Sequence, residues 1–267
     1  MVRMTDLIDA VGTRHAAIGN ATPRIVSLVP SVTELLCDLG LAPFLVGRTG
    51  FCIHPHDTVA AIPKVGGTKD VNIEKIRSLA PTHLIVNIDE NEKPCVDELA
   101  QFVPHVIVTH PQTLHDNLHL FALLGGIFNA TERAQQLTQQ FQTAMATLQA
   151  SLPVPMTSQR VLYCIWKDPW MTVSGSTYIA DVLSTIGWKV VHDGAVRYPV
   201  FNWDEELVRQ VDLVLLSSEP YRFTEAHVDA LERQLGKPVL LVDGEMLSWY
   251  GSRAIAGIDY LRSLLKM

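Results

Sequence analysis

The stretch "NATERAQQLTQQFQTAMATLQASL", residues 129–152, decides how this chain is organised. It contains neither glycine nor proline, and Ala134, Leu137, Phe141, Met145 and Leu148 recur at intervals of three and four. That spacing puts one apolar stripe on a helix whose other face is rich in Gln and Thr. About 22 residues at 1.5 Å each span ~33 Å, longer than a small lobe needs for itself. "PVPMTS" ends the run, and no strand candidate lies between Thr113 and Ser151. The stretch is expected to be one long connecting helix.

On both sides of it, strand and helix patterns alternate. Toward the N-terminus, "IVSLV" (25–29) reads as a buried strand feeding "PSVTELLCDLG", where Ser31 is expected to cap a helix, Glu34 to close a capping box and Gly40 to stop it. "FLVG" (44–47), a helix over 72–80, "HLIVN" (83–87), a helix near 91–102 and "HVIVT" (105–109) continue the rhythm. Toward the C-terminus come "RVLYCIW", "SGSTYIADVLSTIGW", "LVLLSS", a helix from about Thr224, "PVLLVD" and a last helix near 252–265. Strands alternating with helices predict an α/β fold with parallel, doubly wound sheets. The expected division is a lead-in segment 1–22, an N-terminal α/β lobe 23–125, a connecting helix 126–155 and a C-terminal α/β lobe 156–267.

Composition narrows the function. Of 267 residues, 48% are hydrophobic and 18% charged, with a formal charge of −7. An acidic chain lacks the basic face that a nucleic-acid partner requires. No window is long and apolar enough to span a membrane, and the N-terminus holds no run of signal-peptide length. As encoded the chain is expected in the cytoplasm, or in the periplasm if its start lies upstream. Cys37, Cys52, Cys95 and Cys164 have no paired short spacing, so free, mostly buried thiols are expected.

Three stretches carry a resemblance. "PRIVSLVPSVTELLCDLG", "VGGTKDVNIEKIRSLAPTHLIV" and the long mid-chain helix resemble the helical-backbone (class III) solute-binding proteins, receptors for cobalamin, siderophores and haem in ABC importers. "TDLIDAVG" is similar to the opening segment of mature members. "GRTGFCIHP", "LLSSEPYRF" and "DGEMLSWYGSR" look like marks of a subgroup related to the cobalamin-binding proteins. The resemblance implies two Rossmann-like lobes joined by a rigid helix and a ligand cleft between them. It also implies non-catalytic binding of a corrinoid, metal chelate or similar large, partly anionic ligand, and a monomer. An exposed glutamate on each lobe would pair with arginines of a permease. Glu74 matches the first position. "DEEL" offers Asp204, Glu205 and Glu206 for the second, with Glu205 preferred. No cofactor is implied beyond a ligand that itself carries cobalt or iron. The alternative is a cytoplasmic ligand-binding or sensor protein of the same fold without a transport role.

In an α/β lobe the ligand lies beyond the carboxyl ends of the strands. The loops there hold the aromatics Phe51, Trp166, Trp170, Tyr198, Trp203, Tyr221, Trp249 and Tyr250, although aromatics make up only 7% of the chain. Cations recur beside them at Arg48, Lys69, Lys167, Arg197, Arg222 and Arg253, with His54 and Asn87 nearby. Flat apolar walls with scattered positive charge suit a large planar, partly anionic ligand. Lys69, Asn87, Asp89 and Glu90 stand where cobalamin binders tend to have tryptophan, which leaves room for a smaller or more anionic ligand. A metal site at His54, His56, Asp57 and His110 lacks a matched second set of ligands. No G-x-S-x-G elbow or P-loop spacing is present, and Cys52 beside His54 is too close in sequence to supply catalytic geometry.

Overall fold

A computed structural model describes residues 7–156, 158–192 and 194–266. Two compact units emerge. The first comprises Met1–Pro111, His115–Gln142 and Tyr250–Arg253; the second comprises Gln112–Leu114, Thr143–Trp249 and Ala254–Met267.

In the first unit, β1 (Ile25–Ser27), β2 (Leu45–Arg48), β3 (His83–Asn87) and β4 (His105–Thr109) form one sheet in the order β2-β1-β3-β4. Every pairing is parallel. Parallel neighbours need crossovers, and α1 (Pro30–Asp38), α2 (His56–Val59), α3 (Ile73–Ser78) and α4 (Lys93–Leu99) supply them. β1 and β3 are buried along their whole length, so both faces read apolar. Val26, Leu28, Val65, Ile76, Leu84, Val86, Leu99 and Val103 form the core on one face. Burying each such side chain contributes roughly 1.5–3 kcal/mol. α5 (Asp116–Ile127) then leads into α6 (Thr131–Ser151). Gly125 is required where the two helices meet, because a Cβ there would lie 2.4 Å from that of Ala134.

α6 is a single helix, unbroken over 21 residues. Its expected stripe is buried at Ala134, Leu137, Phe141, Met145 and Leu148. Residues through Gln142 belong to the first unit and those from Thr143 to the second.

The second unit has β5 (Gln159–Trp166), β6 (Met171–Thr172), β7 (Trp188–Val190), β8 (Leu213–Ser217) and β9 (Val239–Val242). The order is β6-β5-β8-β9, and β7 also pairs with β5. Among these strands β6 runs antiparallel, against the end of β5, and the others pair in parallel. The helices are α7 (Tyr178–Ser184), α8 (Glu205–Gln210), α9 (Glu225–Leu235), α10 (Gly244–Ser248) and α11 (Arg253–Leu264).

One local expectation is corrected. α1 starts at Pro30, after Val29, with no side-chain cap. Proline at the first helical position lacks an N–H that would need capping, and its φ already suits the helix. Ser31 and Glu34 are therefore not a capping box, and Glu34 pairs elsewhere. Gly40 does adopt the left-handed conformation that ends the helix, at φ 79°.

At the amino ends of β3 and β4, His83 and His105 stack with ring centroids 4.8 Å apart. His83 is buried and its Nδ1 lies 2.8 Å from the Thr82 hydroxyl. Burial first, then the neighbouring His105 and His15, lower its pKa from 6.5 to about 4. Below pH 6.5 the unfolded chain therefore binds a proton that the folded chain refuses, and stability falls until about pH 4. Thermal melts should show this loss in the wild type and a shallower one in His83→Gln; equal slopes would discard His83 as the cause.

Candidate ligand-binding site

Strand order locates the site in each unit. In the first, the chain winds outward from β1 to β2 on one side and to β3 and β4 on the other. The order reverses between β1 and β3, and the crevice at such a switch point lies outside the carboxyl ends of those two strands. The residues there are Ser31 at the start of α1 and the loop 88–92 after β3. Asn91 ties the two together, since its Nδ2 donates to Thr68 O at 2.8 Å and to Leu28 O at 3.4 Å. In the second unit the reversal falls between β5 and β8. Trp166 follows from one strand, and Ser217 to Tyr221 from the other. Tyr163 anchors that end by donating from its hydroxyl to Ser217 Oγ at 2.9 Å.

Apolar side chains stand exposed at these ends. In the first unit Phe51 is 62%, Ile88 47% and Ile53 46% exposed. In the second, Trp166 is 40% exposed and meets Tyr221 edge-on at 5.6 Å. Tyr198 is exposed beside it in sequence with Arg197, whose guanidinium lies 5.9 Å from the Tyr198 ring centre.

Other aromatics expected here serve the core. Trp170 stacks on Phe223 at 5.8 Å and meets Trp203 edge-on at 5.4 Å, within the core cluster of the second unit. Trp249 is buried, and its Nε1 donates to Glu219 Oε1 at 2.7 Å. Tyr250 is buried and donates from its hydroxyl to Glu90. Burial, with the Glu90 charge beside it, raises the Tyr250 pKa well above the ordinary value and keeps it a donor.

The cations differ most from expectation. Arg48 is 4% exposed, and its Nε and Nη1 donate to the carbonyls of Val59 and Thr49 at 2.7 and 3.1 Å. These bonds shape the 49–59 loop. Arg253 belongs to the first unit and grips Glu34 with two bonds of 2.7 Å. Arg197 donates to Ser176 O, and Lys167 lies 4.0 Å from Asp168. Lys69 is exposed and His54 half-buried. Asn87 is buried and shapes the next turn: its Oδ1 accepts from Asp89 N at 2.8 Å, and its Nδ2 donates to Thr109 Oγ1 at 3.3 Å.

The histidines do not converge. His56 contacts Asp57 at 3.1 Å, while His110 lies 3.5 Å from Asp89. Among the described residues no group of three or more His, Cys, Asp or Glu is arranged to hold a metal ion. Of the free thiols, Cys52 and Cys164 are buried, and burial pushes both up in pKa; Cys37 rises to about 11 for the same reason.

Of the residues at these ends, sequence reasoning did not single out Ile53, Ile88 or Glu219 and read Ser31 only as a helix cap, whereas Asp89 and Glu90 were already noted in the loop after β3. Their signal was positional: each follows directly from a switch-point strand or from β2. Glu219 is the clearest case. Burial raises its pKa, partly offset by bonds from Ser248 and Trp249. A buried acid of raised pKa costs stability as pH climbs through the carboxylate range. Glu219→Gln keeps an oxygen for both donors without the charge. Denaturant melts from pH 4 to 8 should show the variant gaining on wild type as pH rises; a constant difference would refute the buried charge.

Two parallel-sheet units with exposed aromatic and aliphatic groups at their strand ends define a binding scaffold of the solute-receptor kind. Comparisons with known proteins agree. The family model described as "Periplasmic binding protein" matches residues 25–235, and the chain belongs to that family. It is 22% identical over 244 residues to the vitamin B12-binding protein of Pectobacterium carotovorum subsp. carotovorum (strain PC1), covering 91% of this chain and 88% of the relative. Among solved structures it resembles the periplasmic vitamin B12 binding protein BtuF of Vibrio cholerae, with a TM-score of 0.74, 22% identity and coverage of 91% and 96%. It also resembles the periplasmic heme-binding protein RhuT from Roseiflexus sp. RS-1, with a TM-score of 0.77, 20% identity and coverage of 91% and 97%. These structural likenesses establish the two-unit α/β fold.

Proposed function

We propose that this protein is the substrate-binding component of an ABC-type importer and holds a corrinoid, metal chelate or similarly large ligand without transforming it. The observation that carries the reading is the set of large apolar side chains exposed at the carboxyl ends of both sheets. Phe51 and Ile88 stand on one unit and Trp166 and Tyr198 on the other. Exposed apolar groups gathered at a ligand crevice mark a binding surface. The relatives' names, which mention vitamin B12 and heme, support a large ring-shaped ligand. A non-catalytic role is supported by the cysteines, since a thiol whose pKa is pushed up is a poor nucleophile. The reading puts the protein in the periplasm, which fractionation of the native cells tests.

Docking follows from helix geometry. Asn72 caps α3 by accepting from Lys75 N at 2.9 Å, which puts Glu74 second in the helix and 82% exposed. Asp204 caps α8 in the same way, accepting from Leu207 N at 2.8 Å. Counting from the caps, Glu206 and not Glu205 holds the position equivalent to Glu74. Glu74 and Glu206 are therefore the proposed pair for arginines of a permease, where charge-assisted bidentate bonds are strongest.

Cyanocobalamin and haemin, titrated separately into the purified protein with tryptophan fluorescence as readout, should give at least one saturable one-to-one complex with the ligand recovered unchanged. No binding of either, or consumption of the ligand, would overturn the reading. Glu74→Lys and Glu206→Lys should abolish capture by the cognate permease while leaving ligand affinity within about twofold, since exposed charges contribute little to the fold. If Glu205→Lys alone abolishes capture, the cap register is the wrong guide.

A further inference from the structure

We infer that the crossover Trp249–Tyr250 couples the two switch-point loops, 88–92 in the first unit and 218–222 in the second, so that ordering one favours the ordered state of the other. The inference goes beyond the proposed binding role and does not depend on it.

Chain path is the first argument. Trp249 is the last residue of the second unit before the chain enters the first, and Tyr250 is the residue just across. Each of these neighbours is held inside its own unit by a glutamate that follows a switch-point strand. Trp249 Nε1 donates at 2.7 Å to Glu219 Oε1, just beyond the end of β8. The Tyr250 hydroxyl donates to Glu90 Oε1, just beyond the end of β3. One peptide bond therefore separates a side chain anchored to one loop from a side chain anchored to the other. That bond is planar, so a displacement of Trp249 passes to Tyr250 with only the ψ of one and the φ of the other to absorb it.

Stiffness on each side is the second argument. In the second unit, Glu219 Oε1 also accepts from Ser248 Oγ at 3.0 Å, and Gly244 N donates to Ser218 Oγ at 2.9 Å. A Cβ at Gly244 would lie 2.6 Å from Glu219 Cγ, so α10 is seated directly on the end of β8. A Cβ at Gly257 would lie 2.3 Å from Met246 O, which puts α11 hard against α10. In the first unit, Tyr250 also pairs with the Ser31 hydroxyl, and Gly251 N donates to Asn117 Oδ1 at 2.5 Å. Tyr250 thus joins the start of α1, after β1, to the loop after β3, the two elements that flank the order reversal. Trp249 is 8% and Tyr250 7% exposed. Bonds made by groups so buried open rarely, because water cannot replace the lost partner. Opening of one loop is therefore tied to opening of the other, and such coupling is reciprocal.

The experiment is amide hydrogen exchange of the full chain without ligand, for wild type, Tyr250→Phe, Glu219→Leu and Leu231→Ala. Tyr250→Phe removes the donor to Glu90 and opens no cavity. Glu219→Leu removes the acceptor of Trp249 at nearly constant volume. Leu231→Ala, a core change on α9, destabilises the second unit away from the crossover. Tyr250→Phe should speed exchange over 218–222 as well as 88–92, and Glu219→Leu should speed it over 88–92 as well as 218–222. The expected rise is about three- to tenfold, the scale on which one hydrogen bond shifts a local opening equilibrium. Leu231→Ala should leave 88–92 unchanged. Unchanged exchange in the opposite unit, for either crossover variant, overturns the inference, and so does a rise over 88–92 in Leu231→Ala. Each of these results leaves the proposed binding role standing.

Discussion

The parallel pairing of β1 with β3 is the constraint on which the rest of the molecule depends. Ile25, Val26 and Ser27 lie opposite His83, Leu84 and Ile85. Two parallel strands cannot be joined by a tight turn, so the chain between them must leave the sheet, build β2 on the far side and return through α3. The loops that follow β1 and β3 then depart in opposite directions. Backbone pairing thus creates the crevice before any side chain is chosen. β5 and β8 repeat the arrangement, with Tyr163 and Ser217 bonded at its floor. Beneath the exposed groups at these ends, β1, β3 and β8 are buried along their whole length.

A second constraint acts on the short segment Tyr250–Arg253. This segment is a part of the first unit, although both its neighbours in sequence belong to the second. Three contacts hold it: the Arg253–Glu34 pair, the bond from Gly251 N to Asn117, and Tyr250 to Glu90. Gly251 has φ 83°, and a Cβ there would sit 3.2 Å from that of Leu35, so only glycine fits without strain. Removing one partner of an ion pair this buried leaves a charge without compensation, at a cost of about 3–5 kcal/mol. Through Tyr250 the segment also holds the Glu90 carboxylate.

Much of the fold was legible because buried parallel strands read as unbroken apolar runs. "HLIVN" and "LVLLS" are fully buried strands where the pattern placed them. α6 was legible from its spacing and from the lack of glycine and proline. The two-residue β6 was not, since so short a strand leaves no periodicity. The site was harder to read. Arg253 and Glu34 are 219 residues apart, so nothing local showed that the arginine was already taken. Trp170 sits in a loop by sequence, yet packs in a core with Phe201 and Phe223. Composition counted cations and aromatics correctly but could not say which ones the protein uses for itself. The register of the acids in "DEEL" was open for a similar reason: it depends on Asp204 being the cap, which only the bond to Leu207 N reveals.

The central claim is that ligand occupies the strand ends at the two order reversals. Amide hydrogen exchange of the full chain, with and without saturating cyanocobalamin, tests this most directly. The account predicts slowed exchange over residues 29–34 and 87–92 in the first unit and over 165–171 and 217–222 in the second, with α9 and the exposed face of α6 unchanged. Protection confined to the amino ends of the strands, around His83 and His105, would contradict it.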